Sequence, residues 1–195
     1  MPIQTFYLKP TQYSRLWLRR YNGNLKCSNS KMSYHNKMNL IGDLPTEDDL
    51  IEYYHDDPRW PTVCECGYQF QDTDEWQLFH SQLFERTDNG ELTTVHSAPV
   101  GAVWRSTWNE DRPNWCGLDG KSVHVKTPGG EWHIDGRASN CTMPLDTVHR
   151  CWVRHGSPEE NNLHVDKNGN TCQAGAGSIV CGSYHGFLHN GMLTD

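Results

Sequence analysis

The sequence predicts an α+β fold in which strands dominate, and three observations lead there. Period-two alternation of apolar and polar residues appears at 12–21 and prevails beyond residue 95. One stretch, about 73–86, instead carries the 3.6-residue period of an amphipathic helix. The third observation is a shortage: apolar residues are 35% of the 195, against roughly 45–50% in an average domain. Eight Trp supply much of that apolar content, alongside eight Cys and eleven His. Such a chain buries large rings and needs cross-links. Its length suits one unit with a zinc-stapled N-terminal lobe, 1–95, and a β-rich C-terminal part, 96–195.

Between Gln12 and Tyr21, Leu16 and Leu18 fall on one face and Arg15, Trp17 and Arg19 on the other, the pattern of a half-buried strand. The polar stretch that follows, to Asn39, reads as loop. Pro45, Thr46 and the acids at 47–49 predict a short helix to Tyr54, its carboxylates at the positive end of the dipole, and 56–61 stops it. The helix about 73–86 rests on Asp72 as cap, Glu75 three residues on, and Trp76, Phe79, Leu83 and Phe84 along one face. Beyond it, 121–126 and 131–135 form a hairpin closed by Thr127-Pro128-Gly129-Gly130, with Val123, Val125, Trp132 and Ile134 alternating. A second hairpin is predicted over 163–173, with the Asn168-Gly169 pair that a type I′ turn favours at its tip. The last segment is rich in Gly, turns tightly, and ends in a short strand around Phe187 and Leu188.

Cys64 and Cys66 lie two apart and are followed by Gly67, a tight turn that can point two thiolates at one ion. Upstream lie Cys27 and His35; His80 lies downstream. The preferred set is Cys27, His35, Cys64 and Cys66, a closed Cys3His tetrahedron around zinc with sulfur at about 2.3 Å and nitrogen at about 2.0 Å. Residues 22–45 hold few core apolars, so clamping that segment to an ion would order it, because structural zinc contributes folding energy directly. The alternative makes Cys27 a buried thiol and His35 a surface residue.

A second group crowds into 141–155. His149, Cys151 and His155 would share one face of a strand, yet His149 and His155 would then stand about 20 Å apart at the usual rise per residue. One ion cannot hold both ends of a straight strand, so either the strand bends or only part of the set ligates. The reading is a second metal site built from Cys141, His149 and Cys151 with Cys172 or Cys116; a Cys141–Cys151 disulfide or plain buried thiols are the alternatives. A catalytic use of Asp135, Cys151 and His155 is the other possibility, with the thiolate stabilised by neighbouring cations and Asp135 orienting a histidine. A cleft bringing those three within hydrogen-bond reach, or a metal with an open position near His149 and His155, would mark a Cys- or metal-dependent hydrolase or transferase. The sequence contains no HExxH, G-x-S-x-G, P-loop or zinc-deaminase signature, which weighs against an enzyme. The 174–178 segment, Ala-Gly-Ala-Gly-Ser, lacks the Lys of a phosphate cradle and reads as a tight loop.

The segments CSNSKMSYHN, DDPRWPTVCECGYQF, DGRASNCTMP, HRCWVRHG, VDKNGNTCQAGAGSI and YHGFLHNG, scattered over 27–191, together resemble uncharacterised Cys- and His-rich proteins encoded in tailed-phage and prophage genomes. The resemblance implies a viral protein, a virion or assembly component, acting in a bacterial host cytoplasm or in the phage particle. No run of 18 apolar residues predicts a membrane span, and 1–21 lacks the pattern of a secretory signal. A net charge of −7 disfavours nucleic acid as a partner, only Arg15 to Arg20 being locally basic. Protein partners or self-assembly are expected instead, through surfaces such as the Trp- and Arg-containing stretch 103–115.

Overall fold

Strands make up nearly all the regular structure. The computed structural model describes residues 1–21, 26–29, 35–45, 57–146, 148–170, 172–174 and 178–195, with backbone alone at 18, 36–45 and 76. These residues group into two units, one formed by Pro10–Leu83 and the other by Met1–Lys9 together with Phe84–Asp195. The predicted short helix after Pro45 and the centre of the 174–178 loop lie outside the described residues.

In the Pro10–Leu83 unit the long strand β2 (Phe6–Tyr21), which starts in the other unit, is flanked by β3 (His35–Pro45) and β4 (Glu75–Arg86). β3 runs antiparallel to β2 from Arg20↔His35 to Tyr13↔Pro45, with irregularities at Ser14/Leu16 and Trp17/Leu18. The stretch read as loop to Asn39 is therefore strand from His35 onward.

The segment expected as a helix over 73–86 is β4, and the α+β expectation falls with it. Among the described residues, helical structure is confined to two three-residue 3-10 turns, Thr107–Asn109 and Pro113–Trp115. Two effects outweigh the helical period. Aromatic rings at 79 and 84 suit a pleated, half-buried surface, and β2 offers partners that an isolated helix would not have. Thr11 Oγ1 donates to the Leu83 carbonyl at 2.7 Å, Gln82 Nε2 donates to the Thr11 carbonyl at 3.1 Å, and Phe79 stacks on Trp17 at 5.7 Å. Asp72, the expected cap, is exposed. Its neighbour Asp74 organises the approach, accepting from Gln71 N–H at 2.9 Å and from the Tyr68 hydroxyl at 2.8 Å.

In the other unit, β5 (Leu92–Thr93) pairs with the end of β4, and β6 (Ala102–Arg105) runs parallel to the start of β2. β6 continues antiparallel into β7 (Val123–Thr127) and β8 (Gly130–His133). The β7–β8 hairpin has the expected turn, with Thr127 opposite Gly130 and Val125 opposite Trp132. Its register also sets His124 opposite His133, and their rings stack at 4.3 Å. Burial holds both imidazoles down at about 4. His124 is thus neutral, and its 2.8 Å contact with Glu131 is a hydrogen bond to the carboxylate rather than an ion pair.

A second sheet orders β1 (Ile3–Gln4), β13 (Met192–Thr194), β12 (Tyr184–His189) and β11 (Ile179–Cys181). Between β12 and β13, Asn190 and Gly191 have φ of 47° and 74°, the two positive values that a type I′ turn requires. The 163–173 hairpin does not form. β10 (His164–Asp166) pairs backward with β9 (Val153–His155), and the Asn168-Gly169 turn leads out to Cys172 instead. The main core gathers Val103, Val123, Val125, Ile134, Trp152 and Leu163 with Leu188 and Leu193 from the second sheet. Trp104 anchors a smaller cluster with Phe6, Leu8 and Phe84. No helix among the described residues is long and apolar enough to cross a membrane.

Candidate metal centres

Both predicted ligand sets come together. Cys27, His35, Cys64 and Cys66 present donor atoms that all lie within 4.8 Å of one another, and so do Cys141, His149, Cys151 and Cys172. None of the eight cysteines is in a disulfide.

The first set is built on a small turn. Val63 bridges Gln69, Cys64 N–H donates to the Tyr68 carbonyl at 2.8 Å, and Gly67 N–H returns to the Cys64 carbonyl at 2.8 Å. This closure needs φ of +89° at Gly67, which a side chain would resist. Backbone N–H groups then point at sulfur, Cys66 N–H at Cys64 and Tyr68 N–H at Cys66. His35 enters from the first residue of β3, with Nδ1 at 3.3 Å from Cys66 Sγ and its ring stacked on Tyr68 at 4.2 Å. Cys27 Sγ lies 3.8 Å from Cys64 Sγ.

The second set repeats this chemistry on loops before and after the β9–β10 pair. Met143 N–H donates to Cys141 Sγ at 3.4 Å, while Ala138 and Ala174 N–H groups serve Cys151 and Cys172. His149 Nε2 is 3.1 Å from Cys141 Sγ and 3.7 Å from Cys151 Sγ, and Cys172 and Cys151 are 3.7 Å apart. The other ring nitrogen, Nδ1, donates to the Asp146 carbonyl at 3.0 Å, which fixes the tautomer and aims the Nε2 lone pair at the sulfurs. Arg137 ties this loop down, donating to the carbonyls of Met143 and Asp146 and, at 3.0 Å, to Asn114 Oδ1. Neither Arg137 nor Asp146 was visible as part of the site in the sequence, because neither has a spacing rule that marks it.

These separations are compatible with a tetrahedral metal site. A tetrahedral ion with sulfur at 2.3 Å and nitrogen at 2.0 Å has S···S edges of about 3.8 Å and S···N edges of about 3.5 Å. A disulfide would require about 2.05 Å. Electrostatics agrees: burial pushes the Cys64 and Cys151 thiols up to about 11, whereas the Tyr68 N–H holds Cys66 down at about 6. Burial also opposes ionisation of Cys172, but the N–H donors and the neighbouring Cys151 and Cys141 thiols outweigh it. A bound cation would resolve this mixture, because a coordinating thiol is deprotonated outright. The donor set, three sulfurs and one imidazole with N–H support, fits a divalent ion of the zinc type.

Residues left out of the sets have other partners. Cys116 donates its thiol proton to the carbonyls of Arg112 and Asn109 at 3.4 and 3.6 Å, and burial raises its pKa. His80 lies 3.5 Å from Ser14 Oγ. The three catalytic candidates go separate ways, and no hydrogen bond joins any two of them. Cys151 belongs to the second set; Asp135 accepts from Arg154 at 3.0 Å and from Val123 N–H at 2.8 Å; His155 Nε2 meets Asp166 at 3.1 Å. A cavity of about 570 Å³ beside the second set is walled by Asp119, Asp135, His149, Trp152 and Arg154, but neither Cys151 nor His155 lines it.

Comparison with protein-family models, with curated proteins and with solved structures finds no match.

Proposed function

We propose that each Cys3His set holds one structural Zn2+ ion, and that the protein is a zinc-stapled structural or interaction protein of phage origin, a component of the virion or of its assembly. The observation that carries the zinc reading is the pair of four-donor sets, each with all donors within 4.8 Å and with S···S separations of 3.8 and 3.7 Å like those of a zinc tetrahedron. Four protein donors leave no position for water or substrate, which favours a structural over a catalytic ion. The ions supplement a core short of aliphatic residues. An interaction role draws on apolar side chains held in the open: Trp108 is 57% exposed, Leu118 78% and Val148 72%. The phage context, and with it the host cytoplasm or the particle as location, rests on the resemblance of the Cys- and His-bearing segments. The partner on this reading is another protein.

Elemental analysis of purified protein tests the zinc reading, with X-ray absorption reporting the ligand shell. Two equivalents of zinc per chain, each surrounded by three sulfurs and one nitrogen, are expected. Less than one equivalent from metal-replete cells, or a shell with an open, water-filled position, overturns it. Co-purification from infected cells tests the phage reading, which fails if the chain is found neither in particles nor with phage proteins.

A further inference from the structure

Away from both cysteine sets, three imidazoles and a carboxylate share one exposed face of the β-rich unit. The β9–β10 register sets His155 opposite His164, and Asp166 follows His164 by two residues, so all three side chains lie on the same face. His155 Nε2 lies 3.1 Å from Asp166 Oδ1 and His164 Nε2 lies 3.4 Å from Oδ2. Two rings thus turn the same nitrogen toward one carboxylate. From β12, His189 stacks on His164 with centroids 4.4 Å apart. The carboxylate is itself held, accepting from Asn168 N–H at 2.9 Å and from Asn168 Nδ2 at 2.8 Å. These side chains remain open to solvent, His155 at 47% and His164 at 30%.

From this we infer that His155, His164 and Asp166, with His189 beside them, form an exposed and exchangeable site for a divalent transition-metal ion. Nitrogen and oxygen donors without sulfur suit Zn2+, Co2+ or Ni2+. The nitrogen–oxygen separations already match the edges, about 2.9–3.4 Å, of a shell with bonds near 2.0–2.1 Å. Among the described residues only the two cysteine sets have every donor within 4.8 Å. The histidine face therefore closes on an ion by turning its imidazoles, a motion that exposed side chains make in nanoseconds. Asn168 plays the orienting part that outer-shell groups play at metal sites. Three or four protein donors leave coordination positions for a small ligand or for a side chain of another molecule, unlike the closed cysteine sets.

The test is titration of the zinc-loaded full chain with Co2+, followed by absorption and by metal content. One additional equivalent is expected, with d–d bands and no thiolate-to-cobalt charge transfer, and with the original zinc retained. His155→Gln, His164→Gln and Asp166→Asn should each weaken it at least about tenfold, whereas His185→Gln, on the exposed face of β12, should leave it unchanged. Circular dichroism and an unchanged zinc count establish that the variants are folded; His155→Gln, at an exposed position, is the variant least able to disturb folding. Absence of an additional equivalent, binding indifferent to His155→Gln and His164→Gln, or cobalt absorption that arises from thiolate-bound cobalt alone would each overturn the assignment. Thiolate charge transfer reports cobalt in the cysteine sets and so tests the zinc reading, whereas d–d absorption lost in His155→Gln and His164→Gln reports this face, so the two readings fail separately.

Discussion

Replacing Cys64 by Ser removes one sulfur from the first centre while keeping nearly the same side-chain shape. The centre ties Cys27 to Cys66 across a loop of about 40 residues, and cross-linking a loop of that size removes about 3.9 kcal/mol of unfolded-state entropy. Cys64 is 4% exposed, so the serine hydroxyl is also left in a buried place built for a thiolate, at about 1 kcal/mol or more. A loss of roughly 4–6 kcal/mol is therefore expected, together with one equivalent of zinc. With a urea dependence of about 2 kcal/mol per M, the midpoint falls by about 2–3 M. Urea titration by circular dichroism, paired with elemental analysis, reads both quantities. Chelator treatment of the unsubstituted protein should produce a similar fall in the same transition, and the variant should show no further fall at that step. A midpoint lowered by less than about 0.3 M, with zinc content unchanged, would refute the idea that an ion at this turn holds the unit together.

Arg154 and Asp135 form a buried pair with side chains 7% and 3% exposed, so Arg154→Met should cost about 3–5 kcal/mol by leaving the carboxylate unpaired. Adding Asp135→Asn should recover part of that loss in urea unfolding; a single variant within 1 kcal/mol of the parent would discount the pair. Burial holds His124 and His133 down at about 4, while unfolded histidine titrates near 6.5, so the unfolded chain takes up protons first on acidification. Their contribution is complete above about pH 6.5 and is lost between there and about pH 4. His124→Gln should flatten the change in urea midpoint between pH 7 and pH 5, and an unaltered slope would assign the acid sensitivity elsewhere. Arg137→Ala should weaken the second metal centre by about 10–100-fold in competition with a chelator and leave the first intact; equal weakening of both would show a general loss of structure.

Both ligand sets were legible because metal donors announce themselves by type: a Cys-x-Cys-Gly turn leaves few other uses for its thiols, and 141–155 is too polar to bury its own. The rise of a straight strand weighed against His155 as a member of the second set, and the structure sends that ring to Asp166. What failed was what depends on a distant partner. The segment 75–86 carries a fair helical period, and only the strand beside it, supplied by residues some sixty positions earlier, turns it into β4. His35 to Asn39 contains too little alternation to read as strand and takes its conformation from pairing with β2. Asn168-Gly169 does turn the chain, but the partner of β10 precedes it rather than follows it. The stack of His164 on His189 was invisible for the same reason, since it joins strands from different hairpins.

The division of the chain has a consequence for how it is made. The Pro10–Leu83 unit is continuous in sequence and contains all four donors of its own centre, so a nascent chain has everything that centre needs once Leu83 clears the ribosomal tunnel. β1 waits far longer. Ile3 pairs with Leu193 and Gln4 with Met192, so this strand is made long before its partner, and a truncated product ending before β13 would carry an unmatched strand edge ready to pair with a neighbouring nascent chain.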